Sequence, residues 1–340
     1  MMSSEPIPMV EVWRGDRVES LHRGHAVVTD ARGGINASFG DPGRVIYPRS
    51  SCKMVQALPL IETGAADAFG LGSEELALAC ASHQGSALHV TAVSRWLDRL
   101  GLGEADLRCG PQKPADGKTA HQRASRGDPV GQLHNNCSGK HAGFLTLNRH
   151  LGGGPEYIEP DHPVQLLVRD AFEGMTGEEI SGIAIDGCSA PNFATSLKSL
   201  ATAMARMADR SQLSPRRASA AEQLLSAMAD HPQLIGGTGR ACTELGTALE
   251  GRSIVKVGAE GVFVAILQES GLGVALKIED GGRRAAEAAI AGLLVRLGEL
   301  TEEHPAIQKR LYAPILNRRQ ISTGMLRPHE EFYQGGCSLL

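Results

Sequence analysis

The stretch "SIVKVGAEGVFVAILQESGLGVALKIED", Ser253 to Asp280, decides the fold class. It holds three runs rich in apolar and β-branched residues, SIVKVG, VFVAIL and GVALKIED, parted by short connections that contain glycine. Runs of that length and spacing predict the successive strands of an antiparallel meander, and the pattern after them predicts a long helix from Arg283 to Leu297. A matching signal stands near the other end of the chain. Val10 to Val28 reads as a hairpin: VEVWR, a Gly-Asp turn, RVESLHRG, then HAVVTD leading to a second turn at Ala31 to Gly34. The expected architecture is therefore α/β (α+β), with a mainly antiparallel sheet drawn from both chain ends (about residues 8–48 and 250–325) and a helical region (about 50–248) inserted between them. This gives one domain through residue 328, in two interdigitated subregions, and a tail over 329–340.

Within the insertion, Met54, Val55, Leu58 and Ile61 give Ser51 to Thr63 a helical period, which Pro59 is expected to kink or end early. Glu74 to Ala81 and Ala87 to Leu100 read as helices flanking a polar elbow at Ser82, His83 and Gln84. Gly110 to Gly131 lacks periodicity and reads as a long surface loop. A helix is expected from Lys140, and a second one starts at Pro163, capped by Asp161, and reaches about Phe172. A short strand, Ile183 to Ile185, stops at "DGCSAPN", and helices follow at Leu197 to Met207 and Ala218 to Met228. Leu311 to Gly324 is expected to return a last edge strand, and "EEFYQGGCSLL" to fray.

Composition narrows the function. The chain has 340 residues, a net charge of −4 and only 4% aromatic residues, with no basic stretch interleaved with aromatics, which argues against a nucleic-acid partner. No apolar run approaches the roughly 18 residues of a bilayer span, and the N-terminus has no basic and apolar leader, so no membrane partner and a cytoplasmic location are expected. The seven cysteines (52, 80, 109, 137, 188, 242 and 337) are odd in number and widely spread, the pattern of reduced thiols.

Candidate chemistry lies at the ends of predicted elements. Ser50 and Lys53 are three apart at a helix start, a spacing at which a hydroxyl and an amine share one face. A serine attacks only when a base takes its proton, and a lysine serves only if burial or nearby positive charge makes it neutral. Ser82 and the strand residues Lys256-Val257-Gly258 follow in chain order, as in the Ser-x-x-Lys, Ser and Lys-Thr-Gly set of serine β-lactamases. The alternative is a solvated Lys53 and a strand-edge Lys256. Cys137 with Lys140, and Cys188 with Asp186, offer two sulfurs, a nitrogen and an oxygen, a donor set for a soft metal such as zinc. Two buried structural cysteines are the alternative, with His83 and His141 as spare candidates.

Taken together, "RSSCK", "CASHQG", "NNCSGKHAG", "DGCSAPN", "GGTGR", "KVGAEGVF" and "ALKIEDG", with the opening "VEVWRGDRVESLHRG", resemble the rhizobial-type L-asparaginases over about residues 9–325. The resemblance implies a serine β-lactamase-like fold, a homodimer, hydrolysis of L-asparagine to L-aspartate and ammonia, and two Ser-Lys tandems, Ser50 with Lys53 and Ser82 with Lys256. It also implies a zinc held by Cys137, Lys140 and Cys188, with Asp186 close by, orienting substrate. Thr238 and Arg240 are candidates for the substrate carboxylate, and Arg49, His141 and Asp186 for further substrate contacts. Cys52, Gln84 and the tail beyond Pro328 receive no role, and the Thr-Gly-Gly-Thr signature of the classical bacterial asparaginases is absent from the N-terminus. Rival readings are a glutaminase or β-lactam-type hydrolase of the same fold, a non-catalytic relative binding zinc or an amino acid, and a cysteine hydrolase using Cys137 with His141.

Overall fold

The structure is a computed structural model describing residues 5–334 and 339. Its strands are β1 (Ile7–Arg14), β2 (Arg17–Thr29), β3 (Ile35–Phe39), β4 (Val45–Ile46), β5 (Gly182–Ile185), β6 (Pro191–Ser196), β7 (Ser253–Val257), β8 (Val262–Leu267), β9 (Leu272–Ile278), β10 (Pro314–Leu316) and β11 (Ser322–Pro328). The chain forms two compact units. The first runs to Ser51, takes Thr195–Gln212 and resumes at Glu244, whereas the second takes Cys52–Ala194 and Leu213–Thr243.

The first unit is built on the expected sheet of both chain ends, in the order β10-β11-β1-β2-β9-β8-β7, with β3 also paired to β2. The N-terminal hairpin joins the C-terminal meander where β2 pairs antiparallel with β9, from Gly24 opposite Ile278 to Thr29 opposite Gly273. All six residues of β8 are buried, so both of its faces are covered, and its sequence is a continuous apolar run instead of an alternating one. The helices Leu197–Ala208 and Arg283–Arg296 pack on β8 and β9. Gly273 sets how close the first of these can come: a Cβ there would lie 2.1 Å from the Ala201 carbonyl oxygen.

The second unit is organised around the helix Lys53–Glu62, which packs against the helices Ser73–Cys80, Ser138–Leu151, Pro163–Thr176 and Pro215–Asp230. Every residue from Lys53 to Leu60 is buried as a result, including the polar Lys53 and Gln56. Gly139 lets two of these helices touch, because a Cβ there would stand 2.4 Å from the Leu78 carbonyl oxygen.

Several expectations are corrected. The central helix runs through Pro59 to Glu62, and the Thr63 N–H bonds the Pro59 carbonyl at 3.1 Å; neighbours on several sides outweigh the one backbone bond that proline removes. The supposed loop contains the helix Gly117–Arg126, capped by Asp116, which buries none of its residues and so carries no apolar period to read. His162, not Asp161, caps Pro163–Thr176, its Nδ1 accepting from the Val164 N–H. The helix expected from Lys140 starts at Ser138. β6 was not expected, because Pro191 and Asn192 read as turn residues. The C-terminal return is a hairpin, β10 and β11, with β11 paired to β1. Beyond it, Glu330–Tyr333 is a helical turn with Phe332 and Tyr333 buried, so this part of the tail is not frayed. None of the six described cysteines is in a disulfide and all six are buried, while Cys337 lies outside the described residues. No helix among the described residues is long and apolar enough to cross a membrane.

Candidate active site

In the first unit, Ser50 sits on the tight turn Arg49–Cys52. Arg49 enters it at φ +56, a left-handed conformation that a residue with a Cβ adopts only under constraint. Ser51 is committed to the turn, since its N–H and its hydroxyl both donate to the Pro48 carbonyl, at 3.2 and 2.8 Å. Ser51 is buried and Ser50 half-buried, which leaves Ser50 as the accessible hydroxyl of the pair. The exit of β7 presses against this turn. A Cβ on Gly258 would lie 2.6 Å from the Pro48 carbonyl oxygen and 3.3 Å from the Ser51 Cβ. Lys256, on β7 two residues before Gly258, is fully buried. Its Nζ donates to the Val257 carbonyl at 3.0 Å.

In the second unit, Lys53 opens the central helix with 1% of its surface exposed, and its Nζ donates to the Ala81 carbonyl. That bond draws it to the polar elbow, whose backbone is pinned on both sides. The Ser82 and Gln84 N–H groups donate to the Ile235 and Gly236 carbonyls at 2.9 and 3.0 Å, and the His83 N–H donates to Asn136 at 3.2 Å. His83 is structural. Its Nδ1 accepts from the Gly85 N–H at 3.1 Å, which leaves Nε2–H to face the Ser138 hydroxyl at 3.1 Å. Burial first, then the charges of His89 and Lys53, hold its pKa well below the ordinary histidine value. Gln84 acquires a role that its sequence did not signal: its side-chain amide pairs with both the N–H and the carbonyl of Thr238 when its oxygen and nitrogen are placed accordingly. Gly237 makes room for it, at φ +103 with a would-be Cβ 2.6 Å from the Gln84 side chain. Thr238 is exposed and Arg240 half-buried on this loop.

The sulfur cluster also forms within the second unit. Lys140 Nζ donates to Cys188 Sγ at 3.1 Å, and a hydrogen bond joins Cys137 to Cys188. The bond from Cys137 and the charge of Lys140 push the Cys188 thiol well below its ordinary value against the cost of burial, and so favour the thiolate. The same bond and burial push Cys137 up. Burial pulls Lys140 down, but Cys188, Cys137 and Asp186 outweigh it and hold the ammonium above its usual value. Asp186 is half-buried at the start of the turn whose Ser189 N–H returns to its carbonyl at 2.8 Å. Among the described residues no three His, Cys, Asp or Glu side chains group as a metal cage. A metal bound here would take Lys140 as its third donor. The three side chains fit a soft dication in donor chemistry, because the protons joining them are the ones a metal would displace.

The cysteine-hydrolase rival finds no support. Cys137 Sγ lies 2.9 Å from Asn136 Oδ1, while His141 Nδ1 faces the Tyr157 hydroxyl at 2.9 Å. Tyr157 was missed in the sequence, where it stands in the aperiodic "GGGPEYIEP" and gave no signal. Cys109 was likewise unassigned; its thiol, pushed up to about 12 by burial and then by Cys137 and Cys188, borders the same cluster.

A search of curated proteins found no match. Among solved structures, the chain is similar to a β-lactamase from Mycobacterium bovis at 14% identity and a TM-score of 0.42, over 78% of this chain and 89% of that one. It is similar at 14% identity and a TM-score of 0.41 to a "putative beta-lactamase" from Bacteroides dorei DSM 17855, over 81% of this chain and 85% of that one. Both likenesses are distant. The model of the family L-asparaginase II matches residues 10–328, and the chain belongs to that family.

Proposed function

We propose that the protein hydrolyses L-asparagine to L-aspartate and ammonia, with Ser50 as nucleophile and Lys53 as its base. The observation that carries the reading is the burial of two lysines, Lys53 at 1% and Lys256 at 0% exposure, each at the end of an element that adjoins or contacts the Ser50 turn within the chain. Burial confines both amines to fixed positions, which is what a group that exchanges protons with a serine hydroxyl requires.

In this mechanism the Ser50 oxygen attacks the side-chain amide carbon while its proton passes to Lys53. The C–N bond breaks as that proton reaches the departing nitrogen, giving ammonia and an ester on Ser50. Water then attacks the ester, aspartate leaves, and Ser50 regains a proton. Ser82 and Lys256 relay protons, and backbone N–H groups of the Ser50 turn stabilise the negative oxygen. Thr238 and Arg240 hold the α-carboxylate, and Arg49, Asp186 and His141 complete the substrate contacts. Cys137, Lys140 and Cys188 would hold zinc, which when bound supplies a fixed positive charge that orients substrate oxygen. A homodimer and a cytoplasmic location belong to the same reading.

The test is ammonia release from L-asparagine, compared with turnover of L-glutamine and of a chromogenic β-lactam. Asparagine is expected to turn over fastest, and Ser50→Ala to abolish the activity while the protein stays folded. Near wild-type turnover by Ser50→Ala would sink the serine mechanism.

A further inference from the structure

His141 is fully buried, yet its Nε2 has no hydrogen-bond partner among the described residues. Its Nδ1 lies 2.9 Å from the hydroxyl of Tyr157, which is itself fully buried and accepts the Arg108 N–H at 2.8 Å. These contacts decide which ring nitrogen carries the proton. With the proton on Nδ1, the ring would donate to the phenol oxygen, and the phenol hydrogen would have no acceptor, because the Arg108 N–H can only donate. Two buried groups would then be unsatisfied, the phenol O–H and the bare Nε2. With the proton on Nε2, the phenol donates to Nδ1 and accepts from Arg108, leaving one unsatisfied group. A doubly protonated ring repeats the first failure and adds a buried charge. Since unpaired buried polar groups are costly, the second arrangement wins.

The surroundings hold both rings in place. Gln165 donates to the Tyr157 carbonyl at 2.8 Å, and edge-on contacts with Tyr157 and Phe144, at 5.6 and 5.7 Å between ring centres, hinder a flip of the imidazole. The orphaned donor therefore stays where it is, on the residue that follows Lys140 in the helix Ser138–Leu151.

We propose that Tyr157 is a positioning residue that fixes His141 in the Nε2–H form, keeping a buried N–H donor for an oxygen atom of the bound substrate. This rests on the amidohydrolase reading, which supplies that oxygen.

The test has two arms. Long-range proton–nitrogen NMR on protein labelled with 15N-histidine, at measured metal content, reads the tautomer, the His141 signals being those lost in His141→Gln. Protonated Nε2 and bare Nδ1 are expected. A protonated Nδ1, or an Nε2 shifted by metal coordination, overturns the proposal whether or not asparagine is hydrolysed. In the kinetic arm, Tyr157→Phe is expected to lower kcat/KM for L-asparagine about five- to tenfold, the scale of one hydrogen bond. In a His141→Gln background, where the amide presents an N–H without a choice of tautomer, the same change is expected to cost less than about twofold. Equal losses in both backgrounds would assign Tyr157 a merely structural role and overturn the inference. A wild type without amidase activity would defeat the proposed function instead, and the NMR result would still decide the tautomer.

Discussion

Gly258→Ala tests how β7 supports the Ser50 turn. The added Cβ would lie 2.6 Å from the Pro48 carbonyl oxygen, 2.9 Å from the Val262 Cβ and 3.3 Å from the Ser51 Cβ. Gly258 is not in the left-handed region, so the penalty is steric rather than conformational. Clearing the closest contact to 3.4 Å, where ordinary packing begins, moves the Pro48 carbonyl by about 0.8 Å. The same oxygen accepts both bonds from Ser51, so the turn must travel with it or lose its 2.8 Å hydroxyl bond. Overpacking of this kind costs about 1–3 kcal/mol, and a shift approaching ~1 Å at a reacting group costs roughly hundredfold in rate. Urea unfolding and initial rates of ammonia release measure the two effects, and turnover is expected to fall one to two orders of magnitude. Gly103→Ala is the control: its backbone is extended at φ −138 and nothing lies within 4 Å of a new Cβ. It is expected to stay within about 0.5 kcal/mol of wild type. Wild-type stability and turnover in Gly258→Ala would refute the claim that β7 braces the Ser50 turn.

Purified protein is expected to bind about one zinc per chain, and Cys188→Ala to lower the metal content more than tenfold, whereas Cys242→Ala leaves it unchanged, as read by elemental analysis. Asp116→Ala is expected to destabilise the helix Gly117–Arg126 by about 0.5–2 kcal/mol, read from amide exchange at Thr119. The Asp116 carboxyl is held below its ordinary value by the hydroxyl and then the N–H of Thr119, at 2.6 and 2.8 Å. Its contribution is thus present above the unfolded carboxylate value of about 3.9 and lost as pH falls through the lower folded value. Protection at Thr119 that is insensitive to the mutation would show that the carboxylate does not hold this helix end.

What the sequence determined by itself is the set of signals carried by local period and composition. The apolar runs of β7, β8 and β9 were legible because they are continuous and buried on both faces, and the hairpin of β1 and β2 and the helices around the Ser82 elbow because their apolar residues recur at a local spacing. Ser50, Lys53 and Lys256 stand at or near element ends, as the sequence reading expected, and the family motifs ran in order. Elements without such a signature were not legible: Gly117–Arg126 buries nothing, and β6 opens on residues that favour turns. Tertiary structure alone decided that Lys53 and Lys256 are buried, that Gly258 rests on the Pro48 carbonyl, and that Gln84 secures the Thr238 loop. It also placed Tyr157 on His141, which are 16 residues apart. Burial and hydrogen-bond partnership depend on which distant segments arrive at a side chain, and no local window of the sequence contains that information.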